Sequence, residues 1–486
     1  MSRQANTDNK EITSTTQLVE WIEAGSTPKK DLVVGSEHEK FVFDIDKERA
    51  AIFSGKKGLE RFLNKLVQKK HGWVPYEEDG HTVELRKPDT TASISLEPSG
   101  QLEHASDIFS NIHDLCEEIE DQINESLEVA EEMDLALVGL GYQPIQGLDD
   151  LPHVPKTRYK NFDQRMRSID GETKNGLHVL YSTASTQANI GFENEEDMVK
   201  KLRVALALQP VVTALFANSP FKDGKLSGLK STRSDIIHNA VGGRYGFMLP
   251  VAFEDGFGFE RFADFALNDM PMMGVYQNGQ FLDAKGASFA DMMAGRIDGC
   301  QNRSATLNDW EDHLNCIWPE VRVRRSLEMR GADSGPTEMI KALPALWVGL
   351  TYDAQVLDEA YQMIRDWSDQ DREYLRKNAP VSALATPFMG TNLQEIAKNM
   401  LALAQKGLQN RAVLNDMGQD ESLYLDPLHE IAESGMTWAD RLIYQYENNW
   451  NGNLSPVFNA MSYKNKPSVL KCMSSVFPSK PDRPSI

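Results

Sequence analysis

The sequence is poor in cysteine, in long apolar runs and in positive charge. Its four cysteines, at positions 116, 300, 316 and 472, form no C-x-x-C pair, which disfavours a zinc site and indicates a reducing compartment. Lysine and arginine number 51 against 72 aspartates and glutamates, a net charge of −21, which argues against nucleic acid or an anionic membrane as partner. No stretch approaches the roughly 18 apolar residues of a membrane span.

The amino-terminal segment also lacks the features of a targeting peptide. Residues 1–30 carry Asp8, Glu11, Glu20 and Glu23 and contain no apolar core. They match neither a secretory signal nor an acid-poor transit peptide. The expected location of the protein is therefore the cytoplasm.

Several nucleotide-binding and hydrolase motifs are missing. Gly224-Lys225 lacks both the upstream glycine and the following Ser or Thr of a G-x-x-x-x-G-K-[ST] loop, and neither H-E-x-x-H nor G-x-S-x-G occurs. If the chain binds ATP, metal-bridged carboxylates must hold the phosphates in place of a glycine-rich loop.

The pattern of the remaining chain predicts one α+β unit. The chain has 486 residues, 41% of them hydrophobic, which is ample for a large core. Strand-like and helical segments interleave before a helical carboxyl-terminal third. We predict a flexible segment over residues 1–14, a single catalytic domain over 15–460 and a tail over 461–486. Within the domain, residues 195–218 are predicted to form a buried helix, and residues 154–175 an irregular polar stretch.

Three strand-like segments carry polar pairs at a spacing of two. Glu328 and Arg330 lie in the strand-like residues 326–333, Glu37 and Glu39 follow an apolar run at 32–34, and Glu103 lies two residues after Gln101. Side chains two apart on a strand share a face. Gathered in one sheet, they would form a concave surface lined with carboxylates and an arginine.

Such a surface suits phosphoryl transfer. Clustered carboxylates require compensation, because burial and like-charge repulsion would otherwise protonate some of them. Mg2+ is typically held by a few carboxylates together with nucleotide phosphates, and an adjacent arginine suits ATP-dependent phosphoryl transfer. The alternative is that these side chains form the solvated outer faces of unrelated strands.

Longer motifs around these positions resemble the glutamate–cysteine ligases of the plant and alphaproteobacterial type. The similarity extends over roughly residues 15–460. The segments that carry it are Val34-Gly35-Ser36-Glu37-His38-Glu39-Lys40-Phe41, Ser95-Leu96-Glu97-Pro98-Ser99-Gly100-Gln101-Leu102-Glu103, Leu215-Phe216-Ala217-Asn218-Ser219-Pro220-Phe221 and Leu327-Glu328-Met329-Arg330-Gly331-Ala332-Asp333.

The resemblance implies a curved, mainly antiparallel sheet of about six strands that forms an open funnel surrounded by helices. It also implies ATP- and Mg2+-dependent joining of the γ-carboxylate of L-glutamate to the amine of L-cysteine through a γ-glutamyl phosphate. This is the first step of glutathione synthesis. The small-molecule partners would be glutamate, cysteine and ATP, and the protein would be a monomer or a homodimer.

Matched position by position, the resemblance assigns three groups of site residues. Arg330 and Arg158 are expected to act in catalysis, Lys160 and Arg330 on the nucleotide side, and Arg233 and Arg244 on the carboxylate of glutamate. The expected metal ligands are Glu37, Glu39, Glu97, Glu103, Gln187 and Glu328.

Departures from the family pattern leave the amine acceptor open. Ser182 and Ala184 replace an Arg and a Cys of the usual R-T-C-T-V-Q, and His104 and His238 are new polar groups expected near the substrate end. A ligase with another amine or another acidic amino acid therefore stays an alternative, as does a non-catalytic binding protein with this fold. A metal-dependent hydrolase is disfavoured, because no histidine ligands accompany the glutamates.

Overall fold

A computed structural model describes residues 9–169, 175–240, 244–277 and 280–464 of the chain. Its strands are β1 (Val34–Asp44), β2 (Arg49–Ala50), β3 (Val74–Glu78), β4 (His81–Arg86), β5 (Ser93–Leu96), β6 (Leu102–Ala105), β7 (Leu135–Val138), β8 (Ser185–Ile190), β9 (Phe221–Lys222), β10 (Lys225–Leu226), β11 (Gly274–Gln277), β12 (Gln280–Asp283), β13 (Val321–Val323), β14 (Leu327–Asp333), β15 (Pro387–Phe388) and β16 (Thr391–Asn392).

Helices cover much of the remaining described chain, and none of those described is long and apolar enough to cross a membrane. They are α1 (Thr16–Glu23), α2 (Leu59–Gln68), α3 (Ile112–Glu132), α4 (Thr157–Ile169), α5 (Asn175–Ser182), α6 (Glu195–Leu215), α7 (Thr232–His238), α8 (Phe259–Asp264), α9 (Phe289–Met293), α10 (Leu307–Asn315), α11 (Thr337–Thr351), α12 (Ala354–Ile364), α13 (Asp369–Ser382), α14 (Leu393–Arg411), α15 (Asp426–Ser434), α16 (Trp438–Asn448) and α17 (Val457–Ala460).

One open antiparallel sheet dominates the described chain. Its strands follow the order β13-β14-β8-β1-β6-β5-β4-β3, with β2 and β7 paired to β1 off this path. The long strand β1 lies at the centre because it pairs with β8 and β6 through its first half and with β7 through its second. The predicted combination of helices with an open antiparallel sheet is confirmed, although the sheet has ten strands where about six were expected.

Two of the additional strands form a hairpin that the sequence analysis did not identify. Strands β3 and β4 pair across Asp79 and Gly80, whose φ angles are 51° and 78°. Two consecutive residues with positive φ are typical of the type I′ hairpin turn, for which Asp-Gly is a favoured sequence. The local signal for this hairpin was therefore present.

The predicted irregular stretch over residues 154–175 is wrong. Residues Thr157–Ile169 form the helix α4, which buries Arg158, Tyr159, Phe162 and Met166. These positions recur at helical spacing, so a polar composition concealed an amphipathic pattern. Residues 170–174 lie outside the described chain, and the predicted domain boundaries stay a prediction.

The buried helix α6 supports the strand β14. The Asn194 side chain accepts a hydrogen bond from the Asp197 backbone N–H and caps the helix, and every residue from Val204 to Leu215 is buried. Thr213 Oγ1 donates to the Gly331 carbonyl at 3.2 Å. A Cβ at Gly331 would lie 2.3 Å from Gln209 Nε2, so a larger residue at this position of β14 would displace the buried Gln209 side chain of α6.

Helices α11 and α14 also approach each other closely, and the substitution Gly407→Ala is expected to destabilise the protein. Helices α11 and α14 cross at Gly349 and Gly407, and a Cβ at Gly407 would lie 1.8 Å from the Gly349 carbonyl oxygen. Because a backbone atom cannot rotate away, we expect the free energy of unfolding to fall by about 3 kcal/mol. The urea midpoint measures this loss. Ala402→Ser, at an exposed position of α14, should change the stability by about 0.5 kcal/mol at most; equal midpoints for both variants would contradict the prediction.

Candidate active site

A row of polar side chains crosses one face of the large sheet. The antiparallel register places Glu84 opposite Ser95, Ser95 opposite Glu103, and Glu103 opposite Glu39. Residues directly opposite one another in a sheet present their side chains on the same face. The row therefore joins side chains from four strands, β4, β5, β6 and β1.

The row continues across the other half of the sheet. Glu37 lies opposite Gln187 on β8, and Asn189 of the same strand lies opposite Glu328 on β14. Asn189 Nδ2 donates to Glu37 Oε1 at 3.1 Å. The three polar pairs that the sequence analysis selected thus lie on or directly beside β1, β6 and β14 of one sheet, with β8 between β14 and β1.

Burial of these carboxylates favours their neutral form. Burial, with the nearby carboxylates of Glu103 and Glu97, raises the pKa of Glu39 to about 8. Burial raises the pKa of Glu37, with a further contribution from Glu328, and it raises the pKa of Glu103, with a contribution from Glu97. Desolvation and like-charge repulsion act in the same direction here.

Glu328 has the opposite electrostatic environment. Arg322 Nε and Nη2 donate to its carboxylate at 2.9 and 2.7 Å, Arg324 Nη2 lies 3.4 Å from Oε2, and Arg330 Nη1 contacts Oε1. Burial favours the neutral acid, but these three guanidinium groups outweigh it and hold the pKa of Glu328 well below its usual range. Glu328 is therefore ionised and anchored from three sides.

Arg330 connects strand β14 to the carboxylate row. Its Nη1 also donates to Gln187 Oε1 at 2.9 Å, and Gln187 Nε2 donates to Ser185 Oγ at 2.9 Å. The Arg330 side chain keeps 15% of its surface exposed, whereas Glu328 is fully buried. Arg330 therefore links Glu328 to Gln187 while part of its side chain stays accessible.

Glu97, two residues after Ser95 of the row, lies beside a buried lysine. Tyr159 OH lies 3.3 Å from Glu97 Oε1 and 2.8 Å from the Leu96 carbonyl oxygen, to which it donates. Lys156 Nζ donates to the same carbonyl at 2.9 Å. Burial lowers the pKa of Lys156, although Glu97 opposes the shift. Lys156, directly before α4, and Tyr159 of that helix thus place an amine and a hydroxyl next to Glu97.

A cleft lies beside Glu39 and Arg330. The described residues that line it include Glu39, Ser185, Arg233, Glu320 and Arg330. Arg233 Nη2 donates to the Arg330 carbonyl at 2.7 Å, while its Nε is buried and has no hydrogen-bond partner. The cleft thus combines guanidinium groups with carboxylates.

Asp333 fixes the position of Arg233. It accepts hydrogen bonds from the Ser219 hydroxyl at 2.6 Å, the Ser231 hydroxyl at 2.9 Å and the Asn218 backbone N–H at 2.9 Å. Arg233 Nη1 lies 3.9 Å from Asp333 Oδ1. The Asp333 carboxylate is therefore held by three donors and forms a rigid support for Arg233.

The other predicted cationic residues have described contacts elsewhere in the chain. Arg244 donates to the carbonyl oxygens of Cys316 and Pro271, Arg158 Nη2 lies 3.5 Å from Cys316 Sγ, and Lys160 is exposed on α4. Arg158 and Arg244 thus meet at Cys316, outside the set that contacts Glu328. Their predicted roles stay predictions.

The structure adds residues that the sequence analysis missed and relocates one histidine. Arg322, Lys156 and Glu84 belong to the site, although none was selected. His104 lies on the reverse face of the sheet, where its Nδ1 is 3.2 Å from Lys40 Nζ. His104 follows Glu103 directly, so strand alternation alone places it on the opposite face. The expectation that His104 lies near the substrate end is wrong.

The donor set of the row fits a hard divalent cation. Its potential ligands are carboxylate and amide oxygens, the type that Mg2+ prefers. In the described part of the chain, however, no three acidic, histidine or cysteine side chains already converge into a metal-binding group. The carboxylates are therefore suited to bind Mg2+ through one or two of their number, with nucleotide phosphates completing its coordination. They are less suited to enclose the ion in a cage made only of protein ligands.

Comparisons with known proteins agree with this geometry. The family model described as glutamate–cysteine ligase family 2 matches residues 33–460. The chain is 39% identical to the chloroplastic glutamate–cysteine ligase B of Oryza sativa subsp. japonica over 92% of its own length and 86% of that protein. It is 38% identical to the chloroplastic glutamate–cysteine ligase of Nicotiana tabacum, over 92% of its length and 82% of that protein.

A solved structure shares the fold. Glutamate–cysteine ligase from Francisella tularensis, in complex with AMP, superposes with a TM-score of 0.54 and 10% sequence identity, covering 91% of this chain and 90% of that one. At this identity the match concerns the fold alone. Because the family model spans most of the sequence and the plant relatives match nearly all of it, the chain belongs to glutamate–cysteine ligase family 2.

Proposed function

We propose that this protein is a glutamate–cysteine ligase that uses ATP and Mg2+ to join the γ-carboxylate of L-glutamate to the amine of L-cysteine. The observation that carries the proposal is the row of buried carboxylates that ends at Arg330 and at a cleft containing Arg233. The names of the plant relatives and the family model support the choice of glutamate and cysteine. The reaction is the first step of glutathione synthesis.

The carboxylates would hold Mg2+ against the nucleotide phosphates. We assign this role to Glu37, Glu39, Glu97 and Glu103, with Gln187 and Glu328 as further ligands. Bound Mg2+ would neutralise the charge of the phosphates and align them. The AMP in the Francisella tularensis structure supports a nucleotide site on this fold, and Lys156 and Tyr159 beside Glu97 are suited to its phosphate side.

Arg330 is suited to stabilise the transferred phosphoryl group. Its guanidinium is fixed by Glu328 and Gln187 but still borders the cleft, so donors would be in place before charge develops on the phosphoryl oxygens. Arg233 is suited to the α-carboxylate of glutamate, because its buried Nε has no other partner. Arg158, Lys160 and Arg244 receive weaker support, since their contacts lie at Cys316 or in solvent.

The composition of the chain also bears on its location, its assembly and its partners. We infer a cytoplasmic monomer or homodimer with small-molecule partners and no nucleic acid. The net charge of −21 and the free thiols of Cys116, Cys300 and Cys316 support this inference.

The raised pKa of Glu39 makes the stabilisation of the protein by Mg2+ dependent on pH. Its value is about 8 in the folded protein against about 4.5 when solvated, so between these values the folded state holds a proton that the unfolded state releases. Stability without metal therefore falls as the pH rises through this window. Because Mg2+ binds the ionised carboxylate, the rise in Tm from Mg·ADP, relative to ADP with EDTA, should be larger near pH 8 than near pH 6. Thermal unfolding of the wild type and of Glu39→Gln measures this; an equal gain at both pH values in the wild type would contradict it.

A product screen tests the function. Purified protein is incubated with ATP, Mg2+ and glutamate, and with cysteine or a panel of other amines, and the products are identified by mass. We expect γ-glutamylcysteine, ADP and phosphate, with release of phosphate stimulated by cysteine. Stimulation by another amine but not by cysteine would establish the alternative acceptor. Inertness towards ATP with every mixture would indicate a non-catalytic binding protein.

A further inference from the structure

The cleft beside Arg330 contains a carboxylate to which neither the family motifs nor the proposed metal site gives a role. The described residues that line the cleft include two acidic side chains, Glu39 and Glu320. Glu39 belongs to the proposed metal row, whereas Glu320 lies in the segment before β13, where the Arg330 backbone N–H donates to its carbonyl at 3.1 Å. Glu320 therefore lies directly beside the strand position of Arg330.

A histidine from α7 holds the Glu320 carboxylate. His238 Nε2 lies 2.7 Å from Glu320 Oε1, and both side chains are 5% exposed. Ser234 Oγ lies 3.3 Å from the same nitrogen. His238 Nδ1 is buried and has no hydrogen-bond partner. The imidazole therefore holds the Glu320 carboxylate through one of its ring nitrogens.

The surroundings of Glu320 carry charges of both signs. Arg233 from α7 and Arg330 from β14 border the same cleft, as does Glu39 from β1. The stacked rings of Tyr245 and Trp318, 4.7 Å apart, form an apolar wall. The cleft thus has cationic groups for a carboxylate or phosphoryl group, a carboxylate for a cation, and a surface that excludes water.

The second half of the proposed reaction requires a proton acceptor. A free amino acid carries its amine as an ammonium group at neutral pH, and only the neutral amine has the lone pair that attacks a carbonyl carbon. We propose that Glu320 binds the ammonium group of the acceptor and takes its proton, and that His238 positions and stabilises the Glu320 carboxylate. This inference rests on the proposed ligase function.

The reaction moves two protons from the attacking nitrogen and exchanges one bond at the acyl carbon. One proton passes from the ammonium group to Glu320, and the nitrogen lone pair forms the C–N bond with the acyl carbon of the γ-glutamyl phosphate. The bond from that carbon to the phosphate oxygen breaks, and the phosphate leaves with the electron pair. The second proton of the attacking nitrogen passes to the departing phosphate.

Hydroxylamine separates proton removal from the rest of the reaction. It is largely neutral at pH 7 and needs no base, so it can attack the same acyl phosphate to give a hydroxamate. Glu320→Gln should therefore lower peptide formation with cysteine by about 100-fold, as loss of a general base does, while hydroxamate formation stays within about threefold of the wild type. Equal losses with both acceptors would overturn the proposal.

Isotope exchange measures the first half-reaction without any acceptor. In ATP labelled with 18O at the β–γ bridge, scrambling that requires glutamate reports reversible acyl phosphate formation. Glu320→Gln should keep this exchange while it loses peptide formation; loss of both would assign Glu320 to the first step or to folding. A wild-type protein that shows no exchange, hydroxamate or peptide would instead refute the proposed function.

His238→Gln tests the positioning residue. Glutamine keeps a donor for Glu320 but cannot stabilise an added proton, so we expect a tenfold or smaller loss of kcat with cysteine, with the acidic limb of the pH profile shifted and the hydroxamate rate unchanged. An unaltered pH profile would remove His238 from the proposal. Glu421→Gln is the matched control for Glu320→Gln, because Glu421 is also buried and pairs with Arg411 away from the cleft. Its ratio of peptide to hydroxamate formation should equal that of the wild type.

Discussion

Arg330→Ala is expected to lower kcat by about 100-fold or more. The guanidinium is fixed by Glu328 and Gln187 at the border of the cleft, where the transferred phosphoryl group would lie. Its loss removes a charge that acts mainly when negative charge develops in the transition state, so the KM for glutamate should change less than kcat. Initial rates of ADP formation at varied glutamate measure both constants.

Arg325→Ala is the matched control for this variant. Arg325 lies in the turn between β13 and β14, where its guanidinium packs on the Trp21 ring at 4.6 Å and its Nε donates to the Trp21 carbonyl. Its removal should affect stability but leave turnover near that of the wild type. If Arg330→Ala also kept a wild-type rate, β14 would not be part of the active site.

Glu328→Gln is expected to have a comparable effect, about 100-fold or more in turnover, together with a higher Mg2+ requirement. The carboxylate balances Arg322, Arg324 and Arg330. A neutral amide would leave three buried or partly buried guanidinium groups without their counter-charge, which commonly costs about 3–5 kcal/mol of stability. Turnover as a function of Mg2+ concentration, with Tm measured in parallel, tests both effects.

Glu103→Gln distinguishes the two possible roles of Glu328. Glu103 accepts a hydrogen bond from Ser95 Oγ at 2.9 Å and contacts no arginine among its described hydrogen bonds, so its substitution should raise the Mg2+ requirement with little disturbance of the arginines. If Glu103→Gln raised the requirement and Glu328→Gln did not, Glu328 would act only as the anchor of Arg330 and would be no metal ligand.

Much of the site could be predicted from the sequence because strand alternation is a local property. The spacing of two between Glu37 and Glu39 and between Glu328 and Arg330 places each pair on one face wherever the strand lies in the sheet. The same rule, applied to His104, would have placed it behind Glu103, as the structure shows. The Asp79-Gly80 turn was another local signal that was available.

The helix α4 was missed for a different reason. Its polar composition suggested a loop, yet Arg158 and Phe162 are buried one helical turn apart. Polar side chains such as Arg158 carry no apolar signal, so their burial depends on partners that the sequence does not identify. The contact of Arg158 with Cys316 is one such tertiary contact.

The sequence by itself determined the composition of the site: carboxylates and an arginine on strand faces, in motifs typical of one ligase family. Only the tertiary structure decided which of these groups meet. Arg322 pairs with Glu328 because β13 folds back on β14 in antiparallel register, and His238 reaches Glu320 across 82 residues. Alternation follows from the geometry of a single strand, whereas register and long-range pairing depend on the packing of the whole chain.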